Sequence, residues 1–243
     1  MVSGIGEEGS PVVAAIIEVE IFVLMGTLPA SQARFLAVTL CTAILAPSLA
    51  AKDFVKPEAR PARTYPAHDD HPNEKVAIAV DPYDTAEKSK IFTIDFPNYG
   101  FLPVFFVVTN DGDQPISIAD IAITLVTPNR SKFTPVSSDD IYRRMSHPQA
   151  NTNSPIPFPI PHKKVKGTVS KKDMDEIDSA QFAARAVEPH TTQSGFLFFD
   201  VSGMATPLAG SYIDITGVRN AQGNELMYFE MPLDKYLNSP KTN

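Results

Sequence analysis

The chain is poor in the residues that most often carry protein chemistry. Its 243 residues include one cysteine, no tryptophan and five histidines. A single cysteine excludes a disulfide framework within one chain and any zinc site built from several cysteines. Acidic residues outnumber basic ones by 28 to 21, and the net charge of −7 argues against a general nucleic-acid binder. With 43 % apolar residues, the chain still has the composition of a globular protein.

The N-terminal fifty residues have the pattern of a secretory signal peptide. Arg34 precedes the uncharged, mostly apolar run Phe35–Ala46, and the small residues Ser48 and Ala50 follow it. This order of a basic start, a short apolar stretch and a small-residue cleavage site predicts a cut between Ala50 and Ala51. A membrane span needs about 20 apolar residues, which is longer than this run. An uncleaved anchor is the alternative.

Residues 1–24 fit poorly in front of that signal. Their apolar stretch is interrupted by Glu18 and Glu20, and carboxylates are costly inside a membrane. A start at Met25 gives a signal of ordinary length, so we interpret residues 1–24 as an over-extended gene start. Because Cys41 lies within the predicted signal, the mature chain would have no thiol.

Composition divides the mature chain into a linker and one domain. Residues 51–74 contain four prolines among charged and small residues, which is typical of a flexible linker. Residues 75–237 are expected to form a single β-sandwich domain with an insertion at about 130–187. Within the linker, the sequence His68–His71 (His-Asp-Asp-His) offers ligands for a divalent metal. We interpret it as a solvated polar patch, since no supporting groups around these ligands are evident.

Apolar runs bounded by turn residues predict β structure on both sides of the insertion. The run Phe101–Thr109 is apolar on both faces and rich in aromatic and β-branched residues, which predicts a central core strand. Asn110–Asp113 has the composition of a turn. The other predicted strands are 76–80, 116–125 (one bulged strand or two short ones), 194–201, 211–218 and 225–231. Strands joined by short turns without a β-α-β rhythm favour an antiparallel sandwich.

The insertion is predicted to be helical and proline-rich. Serine and acidic residues at capping-box spacing predict two helices. The first follows Ser137 and ends at Met145, and the second follows Ser170 and ends near Ala186. Between them, Pro155–Pro161 has proline at every second position, so it is expected to be extended and unable to pair as a central strand.

One stretch carries a resemblance to a known family. Phe105–Ile116, with the sequence Phe-Phe-Val-Val-Thr-Asn-Asp-Gly-Asp-Gln-Pro-Ile, resembles the strand and turn of telokin-like immunoglobulin-like domains in secreted bacterial proteins. Those domains continue to a Pro-Gly pair and then to a glycine that leads into an apolar strand. Gly195 and Phe199 fit the second feature, while Glu188–His190 replaces the Pro-Gly pair. The resemblance implies an antiparallel immunoglobulin-like sandwich and an envelope location, and it brings no catalytic residues.

No group of residues is assigned as a catalytic, cofactor-binding or metal site. None of the five histidines has metalloprotease spacing; they are His68, His71, His147, His162 and His190. His190 could serve Ser194 as a base, but the start of a strand is the favoured interpretation. The pairs Asp139-Asp140 and Asp173-Asp175 could serve glycoside hydrolysis, but acids are also favoured at helix starts.

Aromatic residues give a further hint of binding. Four tyrosines in predicted loops could present rings to a glycan, although packing at the edges of the core is the favoured interpretation. These tyrosines are Tyr65, Tyr83, Tyr99 and Tyr142.

Together these patterns predict a non-catalytic secreted or periplasmic binding module that needs no cofactor. The expected partner is a protein or glycan of the cell envelope and not a nucleic acid, and we expect no integral membrane span in the mature chain. Two alternatives remain open. One is a metal-dependent envelope hydrolase that uses the loop histidines. The other is a periplasmic chaperone or assembly factor, which would expose an unpaired sheet edge.

The export signal predicts the N-terminus of the mature protein. We expect the protein isolated from its own cells to begin at Ala51, as measured by intact-mass spectrometry and N-terminal peptide mapping. A mass that retains residues 35–46 would show that the apolar run is kept as an anchor. A peptide from before Met25 would contradict the interpretation of the gene start.

Overall fold

The structure is a computed structural model that describes residues 53–147 and 169–239. The strands in these ranges are β1 (Ala67–His71), β2 (Val76–Pro82), β3 (Phe101–Asn110), β4 (Ile116–Ser117), β5 (Ala122–Val126), β6 (Lys132–Phe133), β7 (Ala186–Val187), β8 (Thr191–Asp200), β9 (Tyr212–Thr216) and β10 (Phe229–Pro232). The α-helices are α1 (Ala86–Ser89), α2 (Ser138–Ser146), α3 (Lys171–Ala180) and α4 (Asp234–Leu237). Short 3₁₀ helices cover Ala62–Thr64 and Phe96–Tyr99. The described chain is therefore mainly β, as predicted.

The strands form two four-stranded sheets and one small two-stranded sheet. The first sheet has the order β1-β2-β3-β8, and the second has the order β10-β9-β5-β6. β4 pairs with β7 in the small sheet. Every pair of strands in these sheets is antiparallel. The predicted run 116–125 is thus divided into two short strands, β4 and β5, which belong to different sheets.

β3 lies at the centre of the packing because both of its faces are apolar. All ten of its residues are buried. Side chains alternate across a strand, so Val104 and Phe106 point to one side of the sheet and Phe105 and Val107 to the other. The first pair belongs to an apolar cluster shared with the second sheet, and the second pair belongs to a separate cluster. The prediction of a central core strand is confirmed.

The two apolar clusters place the first sheet in the middle of three layers. On one side, Ile213 and Phe229 of the second sheet share a cluster with β3. On the other side, Ile141 of α2 and Ile177 of α3 pack with the opposite face of β3. The first sheet is consequently covered on both faces. The outward side chains of the second sheet point away from the core, because successive side chains of a strand alternate in direction.

Both predicted helices of the insertion begin where their caps predict. The Ser137 side chain accepts from the Asp140 backbone N–H at the start of α2. Ser170 and Asp173 form a reciprocal capping box at the start of α3. Each cap supplies an acceptor for a backbone N–H that has no partner within the helix.

The predicted end of α3 near Ala186 is wrong, because the helix ends at Ala180. Directly after it, the Phe182 N–H donates to the Phe196 carbonyl of β8 at 3.0 Å. This hydrogen bond covers the outer edge of β8. An unpaired edge strand can pair with the edge of another chain. The segment that follows α3 covers this edge of β8.

The structure corrects the prediction of a flexible linker before residue 75. Within that stretch, β1 pairs along its whole length with β2. Tyr65 and Ala67 are buried. The Ala62 N–H donates to the Thr109 hydroxyl at 2.9 Å, which ties the segment to β3. Proline content suggested a linker, but buried apolar residues and sheet pairing fix this segment.

Several sequence predictions lie outside the described residues. These are the signal region within residues 1–50 and the proline-rich stretch 155–161. Among the helices of the described ranges, none combines the length and the hydropathy that a membrane crossing requires.

The close approach of Phe182 to β8 gives a test of this packing. A Cβ atom at Gly195 would lie 2.5 Å from the Phe182 Cα, a backbone atom that cannot move without shifting the edge segment. We therefore expect Gly195→Ala to lower the free energy of unfolding by about 1–3 kcal/mol, measured by urea denaturation. Gln193→Ala, on the same face of the same strand, is the control and should change it by less than about 0.5 kcal/mol. Equal effects of the two substitutions would contradict the described contact.

Candidate functional site

The histidines and aspartates of β1 do not converge on one metal site. In a strand, alternate side chains project to opposite faces. His68 and Asp70 thus point to one side and Asp69 and His71 to the other. The His68 Nδ1 lies 2.5 Å from the Tyr65 carbonyl oxygen. In the part of the chain that the structure describes, no group of three or more histidine, cysteine, aspartate or glutamate residues is arranged to hold a metal ion.

His71 instead joins two acids at the edges of the two four-stranded sheets. Its Nδ1 lies 2.9 Å from Glu74 Oε2, and its Nε2 lies 3.5 Å from Asp69 Oδ2. The imidazole ring stacks on Phe229 of β10 with a centroid separation of 4.0 Å. We call Asp69, His71 and Glu74 the rim clasp. The clasp joins the edge of the first sheet to the edge of the second.

The rim clasp also occupies the outer edge of β10. Asp69 accepts from the Glu230 backbone N–H at 3.0 Å, and Glu74 accepts from the Met227 N–H at 3.4 Å. Proline ends this strand at Pro232 and offers no donor. Side-chain acceptors and a proline are both devices that keep an edge strand from pairing with another chain.

The other residues considered from sequence have structural partners. His190 Nε2 lies 3.4 Å from Asp113 Oδ1, and no hydrogen bond joins His190 to Ser194 among the described residues. Ser194 lies inside β8, opposite Val107 of β3. His147 follows the last turn of α2, and its backbone N–H donates to the carbonyl of Arg143. His162 lies outside the described ranges.

Of the two carboxylate pairs, Asp139, Asp140 and Asp173 lie in the first turn of α2 or α3, where acids stabilise a helix start. Asp140 accepts from the Ser137 hydroxyl at 2.9 Å. Asp173 belongs to the capping box of α3. Asp139 and Asp175 are exposed on the outside of their helices.

The four loop tyrosines do not form a platform for a glycan. Tyr65 and Tyr83 are buried in the cluster beneath the helices, and Tyr99 packs against that cluster. Burial and the nearby Asp81 raise the pKa of Tyr83 above its usual value. The Tyr142 hydroxyl donates to Asp178 at 2.6 Å, and burial together with this carboxylate raises the pKa of Tyr142 to about 12.

A charged cleft of about 540 Å³ opens at the end of α2. Its lining residues are Phe101, Val136, Asp140, Arg143, Arg144, His147 and Asp200. Arg144 Nη1 donates to Asp200 Oδ1 at 3.1 Å, and Nη2 donates to the second carboxylate oxygen. Nη1 also donates to the Ser202 hydroxyl at 2.8 Å. The guanidinium covers the Phe101 ring, 4.8 Å from its centroid. Its charge is therefore already neutralised within the protein.

The ion pair with Arg144 changes the titration of Asp200. Burial tends to raise the pKa of this carboxyl group. Hydrogen bonds from Arg144 and Ser202 favour the ionised form and outweigh burial, so the pKa lies below its usual range. This ion pair holds α2 against the end of β8. Arg144 and Asp200, which both line the cleft, therefore have a structural role.

Two of the three exposed large apolar side chains among the described residues lie next to the second sheet. Met227 is 67 % exposed and Tyr228 is 55 % exposed, and both directly precede β10. On the outer face of this sheet, Glu230 and Thr216 are exposed, and Asp214 reaches solvent in part. We call these five residues the open face. It combines polar side chains on the outer side of the sheet with two exposed apolar side chains.

Comparison with known proteins gives no relative for this chain. No family model, no curated protein and no solved structure matches it. The choice of candidate site therefore depends on the geometry of the described residues.

Sequence reasoning did not single out the open face. The residues 225–231 were predicted as one strand that closes a hairpin, and the strand begins only at Phe229. The signal that could have found the site is the break in alternation at Met227 and Tyr228, where two large apolar residues are adjacent. In a half-buried strand, one of such a pair must face solvent.

The Arg144–Asp200 pair gives a prediction for pH. Because the folded-state pKa of Asp200 is lowered, its contribution to stability is present above the ordinary aspartate pKa and is lost as the pH falls through the lowered value. We expect Asp200→Asn to lower the free energy of unfolding by about 1 kcal/mol at neutral pH. The difference from the unmodified protein should shrink below about pH 4.

Urea denaturation across this pH range measures the effect. Arg143→Gln is the control. Arg143 has the same charge as Arg144 and lies on the same helix, but it is exposed and pairs with Asp140 and not with Asp200. Its effect should be small and independent of the Asp200 titration. A difference between Asp200→Asn and the unmodified protein that grows in acid would contradict the described ion pair.

Proposed function

We propose that the protein is a non-catalytic binding module of the cell envelope or the secreted fraction, and that a partner protein docks on the open face. The observation that carries this proposal is the exposure of Met227 and Tyr228, which directly precede β10 of the second sheet. Tyrosine and methionine are enriched at the centres of protein interfaces. Burying such side chains contributes about 25 cal/mol for each Å² of apolar surface removed from water.

The layering of the fold supports the choice of this surface. α2 and α3 pack on the first sheet, so that sheet has no free face. The second sheet packs on the core through Ile213, Ile215 and Met231. On its outer side, Thr216 and Glu230 are exposed and Asp214 is partly exposed, and this surface remains for a partner.

The proposed location is supported by the N-terminal sequence. Residues 34–51 have the order of a signal peptide, from a basic residue through an apolar run to small residues at a cleavage site. The mature chain after such a cut would contain no cysteine, and so it would need no oxidation to fold in an oxidising compartment.

The immunoglobulin-like character of the fold is likewise a proposal. Supporting it are two antiparallel sheets that share one apolar cluster, and the turn that follows β3. In that turn, the buried Asn110 side chain donates to the Gln114 carbonyl at 2.8 Å and to the Val187 carbonyl at 3.0 Å. It also accepts from the Gly112 N–H at 2.9 Å. Asn110, which belongs to the stretch that carries the resemblance, thus stabilises the turn after β3.

The two alternative functions have less support. A metal-dependent hydrolase that uses the β1 histidines would need His68 and His71 on one side of the strand, and they lie on opposite sides. A chaperone that works by strand addition would need an open sheet edge. At β10 the backbone donors of Met227 and Glu230 already have side-chain acceptors.

Photo-crosslinking in the native cells tests the proposal. A photoreactive phenylalanine analogue replaces Tyr228 in the full chain, and the same analogue replaces Val55 as a control. Val55 is 76 % exposed, and its neighbour Phe54 packs against the apolar cluster on the side of the first sheet that faces away from the second sheet. We expect one defined protein adduct from position 228 and none of the same mass from position 55. The same adducts from both positions, or no adduct from position 228, would contradict docking at the open face.

A further inference from the structure

This inference rests on the proposed function and concerns the chemistry of the partner. We infer that the segment that docks on the open face is basic and also carries apolar side chains. The inference follows from two carboxylates on the outer side of the second sheet, Asp214 and Glu230, and from the exposed Met227 and Tyr228 that directly precede β10.

The two carboxylates are direct neighbours across the strands. Glu230 of β10 pairs with Asp214 of β9 in the sheet register. The Glu230 N–H donates away from β9, to Asp69, so this is a pair without mutual backbone hydrogen bonds. In such pairs the Cα atoms are about 4.5 Å apart and the side chains are closest. Two like charges in this position destabilise a sheet.

The ion pairs between described residues do not include Asp214 or Glu230. Arg219, which follows β9 in the chain, pairs with Glu225 at 3.7 Å. Lys132 lies on β6, which is separated from β9 by β5. No ion pair between described residues therefore offsets the repulsion between the two acids, which solvent and salt screen. A lysine or arginine of a partner would interact favourably with both carboxylates at once.

The exposed Met227 and Tyr228 indicate the second expected feature of the partner, which is apolar side chains. Tyr228 lies two residues before Glu230, a spacing of about 7 Å in extended chain. An extended partner segment presents alternate side chains on one face at the same spacing. A basic residue and an apolar residue two positions apart would therefore contact Glu230 and Tyr228 together. The charged contacts would orient the partner and raise its rate of association. Burial of the apolar side chains would contribute most of the affinity.

Titration with designed peptides tests the inference on the full chain. The probe is a synthetic peptide with the repeat Lys-Ser-Leu-Ser, which places lysine and leucine on the same face when it is extended. Two peptides of equal length are controls. One has glutamate in place of lysine, and the other has serine in place of leucine. Binding is measured by fluorescence anisotropy at low and high salt.

Two double variants separate charge from shape. Asp214→Asn with Glu230→Gln removes both charges with little change in shape, and we expect it to weaken binding of the lysine-leucine peptide about tenfold at low salt. Asp139→Asn with Asp175→Asn removes the same charge from α2 and α3, and it should change binding less than twofold if only net charge is altered. Met227→Ser with Tyr228→Ser should weaken binding at high salt as well, because apolar contacts are not screened.

Each outcome is decisive. Preferential binding of the lysine-leucine peptide, weakened by the open-face acid variant and by salt, supports the inference. Binding that is equal for the glutamate peptide, or unchanged in the acid variant, would overturn the basic partner while leaving docking at the open face intact. No binding of any peptide would also overturn it. Binding of an envelope oligosaccharide that is lost with Tyr228→Ser would assign the face to a glycan instead. Failure of the crosslinking at position 228 would remove the proposed function itself.

Discussion

Burial of β3 on both faces is the constraint on which the rest of the structure depends. A strand with apolar side chains on both sides must be covered twice, because each face left in water costs about 25 cal/mol per Å². The second sheet covers one face, and the helices of the insertion with the segment before β1 cover the other. The two described helices of the insertion are consequently part of the core packing. These helices, α2 and α3, bury apolar side chains against the face of the first sheet that the second sheet does not cover.

The same constraint explains why the second sheet has a free surface. Its strands β9 and β10 bury alternate residues, which are Ile213, Ile215, Phe229 and Met231, so one cover is enough. The rim clasp then links the edge strands β1 and β10 of the two sheets, with His71 stacked on Phe229 and close to two acids. This clasp removes the edge of β10 from the possible binding surfaces. The open face remains, with two acids and two apolar side chains whose exposure has no structural role in the described residues.

The parts of the fold that were predictable are those where a local pattern agrees with the packing. β3 was evident from a run apolar on both faces, and the starts of α2 and α3 from their serine caps. β1 was missed because its sequence is polar and lies among prolines, and only pairing with β2 makes it a strand. The end of α3 was missed because the edge of β8 decides it. The open face depends on the register of Glu230 with Asp214, and register is not visible in sequence.

Hydrogen–deuterium exchange of the full chain tests the layered arrangement most directly. Amides of β3 are covered on both faces and paired with β2 and β8, so they should exchange only through global unfolding. Amides of β9 and β10 lie in a sheet covered on one face, and they should exchange sooner. If the amides of β3 exchange as fast as those of β10, the first sheet is not the central layer. The open face would then lose its structural basis.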